Sequence, residues 1–71
     1  MVLSKFDQNA LLAFAESRMN ISEASRRSFI SQNGLRRHLI KVRIDTGLDP
    51  FDFYDLATLV QTIKKGDVSS E

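Results

Sequence analysis

Four side chains near the middle of the chain are of types that pair with the edges of DNA bases. Arg36 and Arg37 carry guanidinium groups, which can donate two hydrogen bonds at once to guanine or to a phosphate. The amides of Gln32 and Asn33 can pair in the same bidentate way with adenine, although ordinary hydrogen bonding in the first turn of a helix explains them equally well. We predict that the two arginines contact a groove or the phosphates of duplex DNA, with plain solvation as the alternative.

Five further residues around this group are candidates for less specific contacts with DNA. Arg26 and Arg27 suit the phosphate backbone better than the bases, and simple solvation of one of them is the alternative. Ile40 suits contact with a thymine methyl group. The full set of predicted DNA-contacting residues is Arg26, Arg27, Ser31, Gln32, Asn33, Arg36, Arg37, Ile40 and Lys41.

The sequence offers little for catalysis or metal binding. His38 is the only histidine and the chain has no cysteine, so a zinc site has almost no ligands to draw on. We expect His38 at the edge of the core or against a phosphate. Asp49, Asp52 and Asp55 lack the central glycine and later glutamate of a calcium loop, and helix capping explains the last two. We therefore predict a protein with no enzymatic activity, no metal and no cofactor.

The candidate DNA-binding residues lie on a predicted helix with two different faces. Leu35, Leu39 and Val42 recur at helical spacing and form one apolar stripe. Arg36 lies on the shoulder of that stripe, and the residues that point away from it are Asn33, Arg37, Ile40 and Lys41. Ser31 can cap the N-terminus of this helix through its hydroxyl group. Gly47 can adopt the left-handed conformation that ends a helix. The pattern predicts a helix anchored by one face and open to an anionic partner on the other.

Three further helices are predicted around this one. The first runs from its cap, Ser4, to about Met19, and the second is short, from a cap at Ser22 to Phe29. The last begins at a cap, Asp52, and is amphipathic. Its apolar stripe consists of Leu56, Leu59, Val60 and Ile63.

The order of these elements predicts the fold class. A short helix, a turn and a longer basic helix form the helix-turn-helix arrangement. We predict an all-α protein, a small four-helix domain with a helix-turn-helix motif and an additional C-terminal helix. This domain is expected to span residues 1–66, followed by a disordered tail over residues 67–71.

The distribution of charge also indicates a polyanionic partner. The formal net charge is only +1, but bases dominate between residues 22 and 43 and acids dominate from residue 45 onward. Such asymmetry indicates a face that binds a polyanion. A solvated charged face is the alternative.

Length and apolar composition bear on the oligomeric state and the compartment. A chain of 71 residues without a disulfide is near the lower limit for a self-sufficient core. Phe51 and Tyr54 are apolar residues with no evident place in a four-helix monomer, and Ile44 is expected to be covered by the last helix or by a second subunit. We therefore predict a homodimer. No segment has the pattern of a signal peptide or a membrane span, which predicts a cytoplasmic protein without membrane contact.

The residues from Ser22 to Ile63 resemble the C-terminal DNA-binding domain of the PucR and CdaR group of bacterial transcription regulators. The matching motifs are NISEAS, FISQNGLRRHLIKV and TGLDP, the last followed by an acid-capped amphipathic helix. The NGLRRHL core is also similar to the Fis-type helix-turn-helix, but TGLDP and Phe29 at the turn favour the PucR group. The resemblance implies a helix-turn-helix fold and a function in transcription regulation.

The sequence therefore predicts a sequence-specific regulator that binds double-stranded DNA in the bacterial cytoplasm. Its recognition helix, about residues 32–46, is expected to enter the major groove. The alternative is a protein-interaction module that uses the same basic helix face on an acidic partner. The sequence shows no evidence of a small-molecule effector.

Overall fold

Four α-helices make up most of residues 3–66, the part of the chain that the computed structural model describes. In chain order they are α1 (Lys5–Glu16), α2 (Ile21–Ser28), α3 (Gln32–Thr46) and α4 (Phe53–Lys64). No strand occurs in this range. The predicted all-α, four-helix fold is confirmed, whereas the predicted tail at 67–71 lies outside the described residues.

Side-chain caps at three helix N-termini agree with the sequence prediction. The hydroxyl groups of Ser4 and Ser31 and the carboxylate of Asp52 each accept a hydrogen bond from the backbone N–H three residues later, at 3.0–3.1 Å. At the C-terminus of α3, Gly47 has a φ of 76°, a left-handed conformation that glycine adopts without steric cost. The sequence therefore correctly predicts both ends of the helix that carries most of the candidate site.

The end of α1 differs from the prediction. The helix ends at Glu16 rather than at about Met19, because Arg18 and Met19 have left-handed φ values of 55° and 65°. The backbone N–H of Met19 donates to the carbonyl of Phe14 at 2.9 Å, a bond typical of a left-handed helix end. The Met19 side chain still packs against the core, which is why its apolar character suggested a longer helix.

The second helix begins two residues earlier than a cap at Ser22 predicts, and that predicted cap is wrong. The side-chain oxygen of Asn20, not the Ser22 hydroxyl, accepts a hydrogen bond from the backbone N–H of Glu23 at 3.1 Å. Asparagine and serine are caps of similar strength, so their order in the sequence does not decide between them. At the other end Phe29 has a left-handed φ of 58° and ends α2 after Ser28.

Helix α1 lies at the centre of the domain and packs against each of the other three helices. Helix α3 contacts α1 and α2, whereas α4 packs on α1. The predicted apolar stripe of α3, formed by Leu35, Leu39 and Val42, is fully buried, and Leu56 and Leu59 of α4 join the same core. The fold thus holds α3 by one face and leaves its opposite face exposed.

Phe51 packs against a core residue of the same chain, a contact that the sequence does not indicate. Its ring lies edge-on to the buried ring of Phe14, with centroids 5.5 Å apart. Ile44 and Tyr54 are different, since their side chains are 76% and 78% exposed. Two of the three apolar residues that led to the prediction of a dimer therefore remain largely exposed in the described part of the chain.

Candidate nucleic-acid interface

The exposed face of α3 combines arginine, amide and isoleucine side chains. Asn33 and Arg37 are exposed in the first half of the helix, opposite the buried leucine stripe, and Arg36 is exposed at the edge of that stripe. Ile40 lies between them and Ile44 on the same face, and its side chain is 51% exposed. This face is therefore a continuous strip that runs along the helix, basic at its edges and partly apolar along its middle.

Three arginines of α3 have positive charges that the protein does not neutralise locally. None of the ion pairs found within residues 3–66 involves Arg36, Arg37 or Arg43. All three side chains are exposed. An unpaired, exposed guanidinium group can bind a phosphate or a guanine without first giving up another partner.

Lys41 lies on the same helix in a different electrostatic setting. Its ammonium nitrogen is 3.1 Å from Oδ2 of the buried Asp7 and 3.8 Å from Oδ2 of Asp45. Two carboxylates thus compensate much of its charge. Of the residues predicted to bind DNA, Lys41 is therefore less available to a phosphate than Arg36 or Arg37.

The two arginines of α2 also have acidic neighbours. Arg26 lies 2.7 Å from Glu23, and Arg27 lies 3.6 Å from both Glu23 and Glu16. These pairs are solvent-exposed, and such pairs typically stabilise a protein by less than about 1 kcal/mol. A phosphate can therefore compete for these arginines, and their contact with the DNA backbone stays a prediction.

Two side-chain hydrogen bonds span the turn between α2 and α3. The Ser25 hydroxyl donates to the backbone carbonyl of Ile30, and the Gln32 amide donates to the Ser22 hydroxyl at 3.4 Å. The buried Ala24 has the small side chain that close packing of two helices requires. The structure therefore brings α2 and α3 together as the helix-turn-helix prediction requires.

At the start of α3, some polar side chains make hydrogen bonds within the protein and others remain accessible to a partner. The Ser31 hydroxyl is occupied as the N-cap, and the Gln32 amide is occupied by its contact with α2. Asn33 is exposed, and its side chain makes no hydrogen bond to another described residue. Of the two amides predicted to pair with adenine, Asn33 is therefore the better placed.

A buried carboxylate that is not among the residues predicted from the sequence joins α1 to the candidate DNA-binding helix. The Asp7 side chain is 1% exposed. Its Oδ1 lies 2.8 Å from Nδ1 of His38, and its Oδ2 lies 3.1 Å from Nζ of Lys41. Burial raises the pKa of Asp7, but hydrogen bonds from His38, Lys41 and Ser4 outweigh that effect and hold the pKa below its ordinary value.

The sequence contained a signal for this buried carboxylate. Asp7 stands at helical spacing with Ala10, Leu11 and Phe14, all of which belong to the buried face of α1. An acid on an apolar face needs a cationic or hydrogen-bonding partner. His38 was expected at the edge of the core, and it lies there, with its ring stacked near Phe6 at a centroid distance of 6.5 Å.

Other kinds of site are not evident in the described part of the chain. Residues 3–66 contain no group of three or more histidine, cysteine, aspartate or glutamate side chains able to hold a metal ion. None of the four helices is long and apolar enough to cross a membrane.

Comparison with family models, curated proteins and solved structures found no match for this chain. The geometry of α2 and α3 and the sequence motifs are therefore the basis for a function of this chain.

Proposed function

We propose that this protein is a bacterial cytoplasmic transcription regulator of the PucR and CdaR kind, which binds specific sequences of duplex DNA. The observation that carries the proposal is the exposed face of α3. On it Arg36, Arg37 and Arg43 have no acidic partner among the described residues, while the opposite face of the same helix is locked into the core.

The dimensions of α3 suit the major groove of DNA. Fifteen residues form a helix of roughly 22 Å at 1.5 Å per residue, and the major groove of B-DNA admits one α-helix. Recognition helices contact base edges mainly through residues near their N-terminus. Asn33, Arg36 and Arg37 occupy that part of α3 and supply the side chains that pair bidentately with adenine and guanine.

The neighbouring helices support the same orientation. Arg26 and Arg27 lie on α2, where cations contact backbone phosphates in helix-turn-helix proteins. The acids Asp52 and Asp55 lie on α4, which packs on α1 and not on α3. Helix α4 therefore does not cover the exposed face of α3.

A second candidate function is binding to an acidic protein partner through the same face. The observation that favours it is the exposure of Ile40 and Ile44, 51% and 76%, among the arginines. Exposed isoleucines add apolar contact area, which protein interfaces use at their centres. In a DNA complex only a few such contacts, to thymine methyl groups, are useful.

Binding to duplex DNA at several salt concentrations separates the two functions. We expect the protein to bind a pool of random duplexes at low salt, with an affinity that falls steeply as salt rises because counterions are released. Selection of bound sequences from the pool should then enrich a motif. Absence of binding at low salt would reject the DNA function and favour the protein partner.

A further inference from the structure

We propose that the groove between α1 and α4 binds a small organic acid, a monocarboxylate with an apolar body such as a medium-chain fatty acid. This α1–α4 groove has a volume of about 400 Å³, within the range of roughly 300–1,000 Å³ that is typical of small-molecule sites. The inference goes beyond the proposed DNA binding and does not depend on it. The apolar lining consists of Ala15 and Met19 at and just after the end of α1 and Phe53, Leu56, Ala57 and Val60 on α4.

The lining of the groove has the composition of a small-molecule site. Besides the six apolar residues it contains two polar ones, Arg18 and Gln61. Sites of this class are mostly apolar, carry a few polar groups that orient the ligand, and often lie between the helices of a bundle. An alkyl chain or ring in the groove is removed from water by contact with this lining, which favours binding. The lining therefore indicates an apolar body for the ligand.

Arg18 determines the charge of the ligand. Its side chain lines the groove and is exposed, and none of the ion pairs found within residues 3–66 involves it. A guanidinium group donates two parallel hydrogen bonds to a carboxylate and keeps its charge at any physiological pH. A carboxylate beside Arg18 therefore uses an interaction that a neutral apolar ligand cannot make.

The other charges of α4 also favour an anion. Lys64 lies about two turns after Ala57 on the same side of the helix, and it has no ion-pair partner in the described part of the chain. The carboxylates of Asp52 and Asp55 accept hydrogen bonds from the backbone N–H groups of Asp55 and Asp49, each at 3.0 Å. On the helical projection Asp55 lies on the side of α4 away from the groove. The groove therefore has cations, and not acids, on its side of α4.

The backbone beside the groove has a conformation that its residue types do not favour. Arg18 and Met19 are left-handed, with φ values of 55° and 65°, a region that is costly for residues other than glycine. Both residues line the groove. Residues held in such conformations are concentrated at ligand and active sites, so this turn supports a binding role for the groove independently of its charge.

Isothermal titration calorimetry of the full chain with octanoate tests the site, and two matched probes separate its features. Octanoate has both an apolar chain and a carboxylate, whereas octanol has the chain alone and acetate has the charge alone. We expect saturable binding of octanoate and binding weaker by about tenfold for octanol, which lacks the partner of the guanidinium group. Acetate should show no detectable binding, since it has almost no apolar surface to bury.

Four variants assign the binding to the groove. Arg18→Gln should weaken octanoate binding by about tenfold and leave octanol binding unchanged, whereas Lys5→Gln removes an exposed charge outside the groove and should change neither. Ala57→Phe fills the groove and should abolish binding of both ligands. Thr58→Phe adds the same side chain at the next exposed position, outside the lining, and should bind as the wild type does. Circular dichroism should show the same helix content in all four variants.

A methionine methyl group provides a direct probe of the groove. The chain has two methionines, Met1 and Met19, and Met19 lines the groove. In protein labelled at the methionine methyl groups, the NMR signal of Met19, assigned with Met19→Leu, should shift during titration with octanoate. The affinity from this shift should equal the calorimetric affinity.

Several results would overturn the proposal. They are absence of saturable octanoate binding, octanol binding as tight as octanoate binding, and octanoate binding that Arg18→Gln or Ala57→Phe leaves unchanged. A chain that does not bind octanoate but forms a dimer that Ala57→Phe disrupts would assign the groove to a second copy instead. None of these results bears on DNA binding, because α4 packs on α1 and not on α3.

Discussion

At the scale of single residues, the acidic neighbours of a basic side chain determine whether that side chain is available to a phosphate. Arg36 and Lys41 lie on one helix, five positions apart, and both are exposed. Lys41 lies within 3.1 Å of the buried Asp7, whereas Arg36 has no acidic neighbour among residues 3–66. The sequence predicted both as DNA contacts on the basis of charge and helix face. It did not predict the carboxylate that distinguishes them, because that contact joins positions 34 residues apart.

The first prediction concerns the two arginines at the start of the exposed face. Arg36→Ala and Arg37→Ala should each weaken binding to a selected DNA site by about 1–3 kcal/mol and relax the preference for one base. Melting should not change, because neither side chain has a partner within the described residues. Fluorescence anisotropy with labelled duplex measures the affinity.

Lys5→Ala is the matched control for the arginine variants. It removes one exposed positive charge from the side of α1 that lies opposite the buried Asp7 on the helical projection. It should change DNA affinity little. If the arginine variants bind the selected site as tightly as this control, α3 is not the recognition helix.

The second prediction concerns the buried carboxylate. Because the pKa of Asp7 is held below its ordinary value, its ionised form stabilises the fold fully above about pH 4. That stabilisation is lost as the pH falls through the pKa of the folded state. Asp7→Asn should therefore lower the free energy of unfolding at pH 7 by about 1–2 kcal/mol, a modest figure because His38 and Lys41 are partly exposed.

Urea unfolding between pH 2 and pH 7 measures this contribution as the difference between wild type and variant. The difference should shrink towards acid pH. Asp45→Asn is the control, since Asp45 is exposed and lies 3.8 Å from the same lysine. A wild-type stability that changes with pH in parallel with that of Asp7→Asn would show that Asp7 is not the group responsible.

At the scale of helices, the sequence predicted the helix ends best where a capping residue stands directly beside an apolar stripe. The caps Ser31 and Asp52 and the left-handed Gly47 define α3 and α4 correctly because each stands directly beside a regular apolar stripe. The α1–α2 connection was predicted less well. Its left-handed residues are Arg18 and Met19, neither of which is of a type that favours that conformation, so their identity does not indicate where α1 ends.

The third prediction tests the corrected cap of α2. Asn20→Ala should destabilise the domain by about 1 kcal/mol, because it removes the acceptor of the Glu23 backbone N–H. Ser22→Ala, two positions later, should change stability by less, since Ser22 is exposed within the first turn and accepts only a long hydrogen bond. Thermal melting of the two variants side by side makes the comparison. A larger loss for Ser22→Ala would restore the original assignment.

The fourth prediction tests the anchored face of α3. Leu39 is fully buried at the middle of the apolar stripe, so Leu39→Ala should destabilise the domain by about 2–5 kcal/mol. In a domain of this size that is a large share of the total stability. Ile40→Ala, at the adjacent exposed position, is the control and should lower the melting temperature far less. Equal effects of the two substitutions would mean that the faces of α3 are assigned the wrong way round.

At the scale of the whole molecule, the near-zero net charge conceals a separation between surfaces. The unpaired arginines lie on α3, and the acid-capped α4 packs on α1 away from them. The sequence predicted this separation from the order of charges along the chain. It did not predict the α1–α4 groove, because the groove depends on where α1 ends relative to α4.

The last prediction combines the homodimer predicted from the sequence with the proposed recognition helix. If the chain forms a two-fold dimer and α3 enters the major groove, the two recognition helices should occupy successive turns of one DNA face, about 34 Å apart. Sequence selection should then yield a palindrome, and the protein should bind it as two chains per duplex with cooperativity. Single half-sites should bind more weakly and without cooperativity. Titration of labelled palindromes and half-sites measures both effects. Tight one-to-one binding of the wild type to a single non-palindromic site would contradict the dimeric arrangement while leaving α3 as the DNA-binding element.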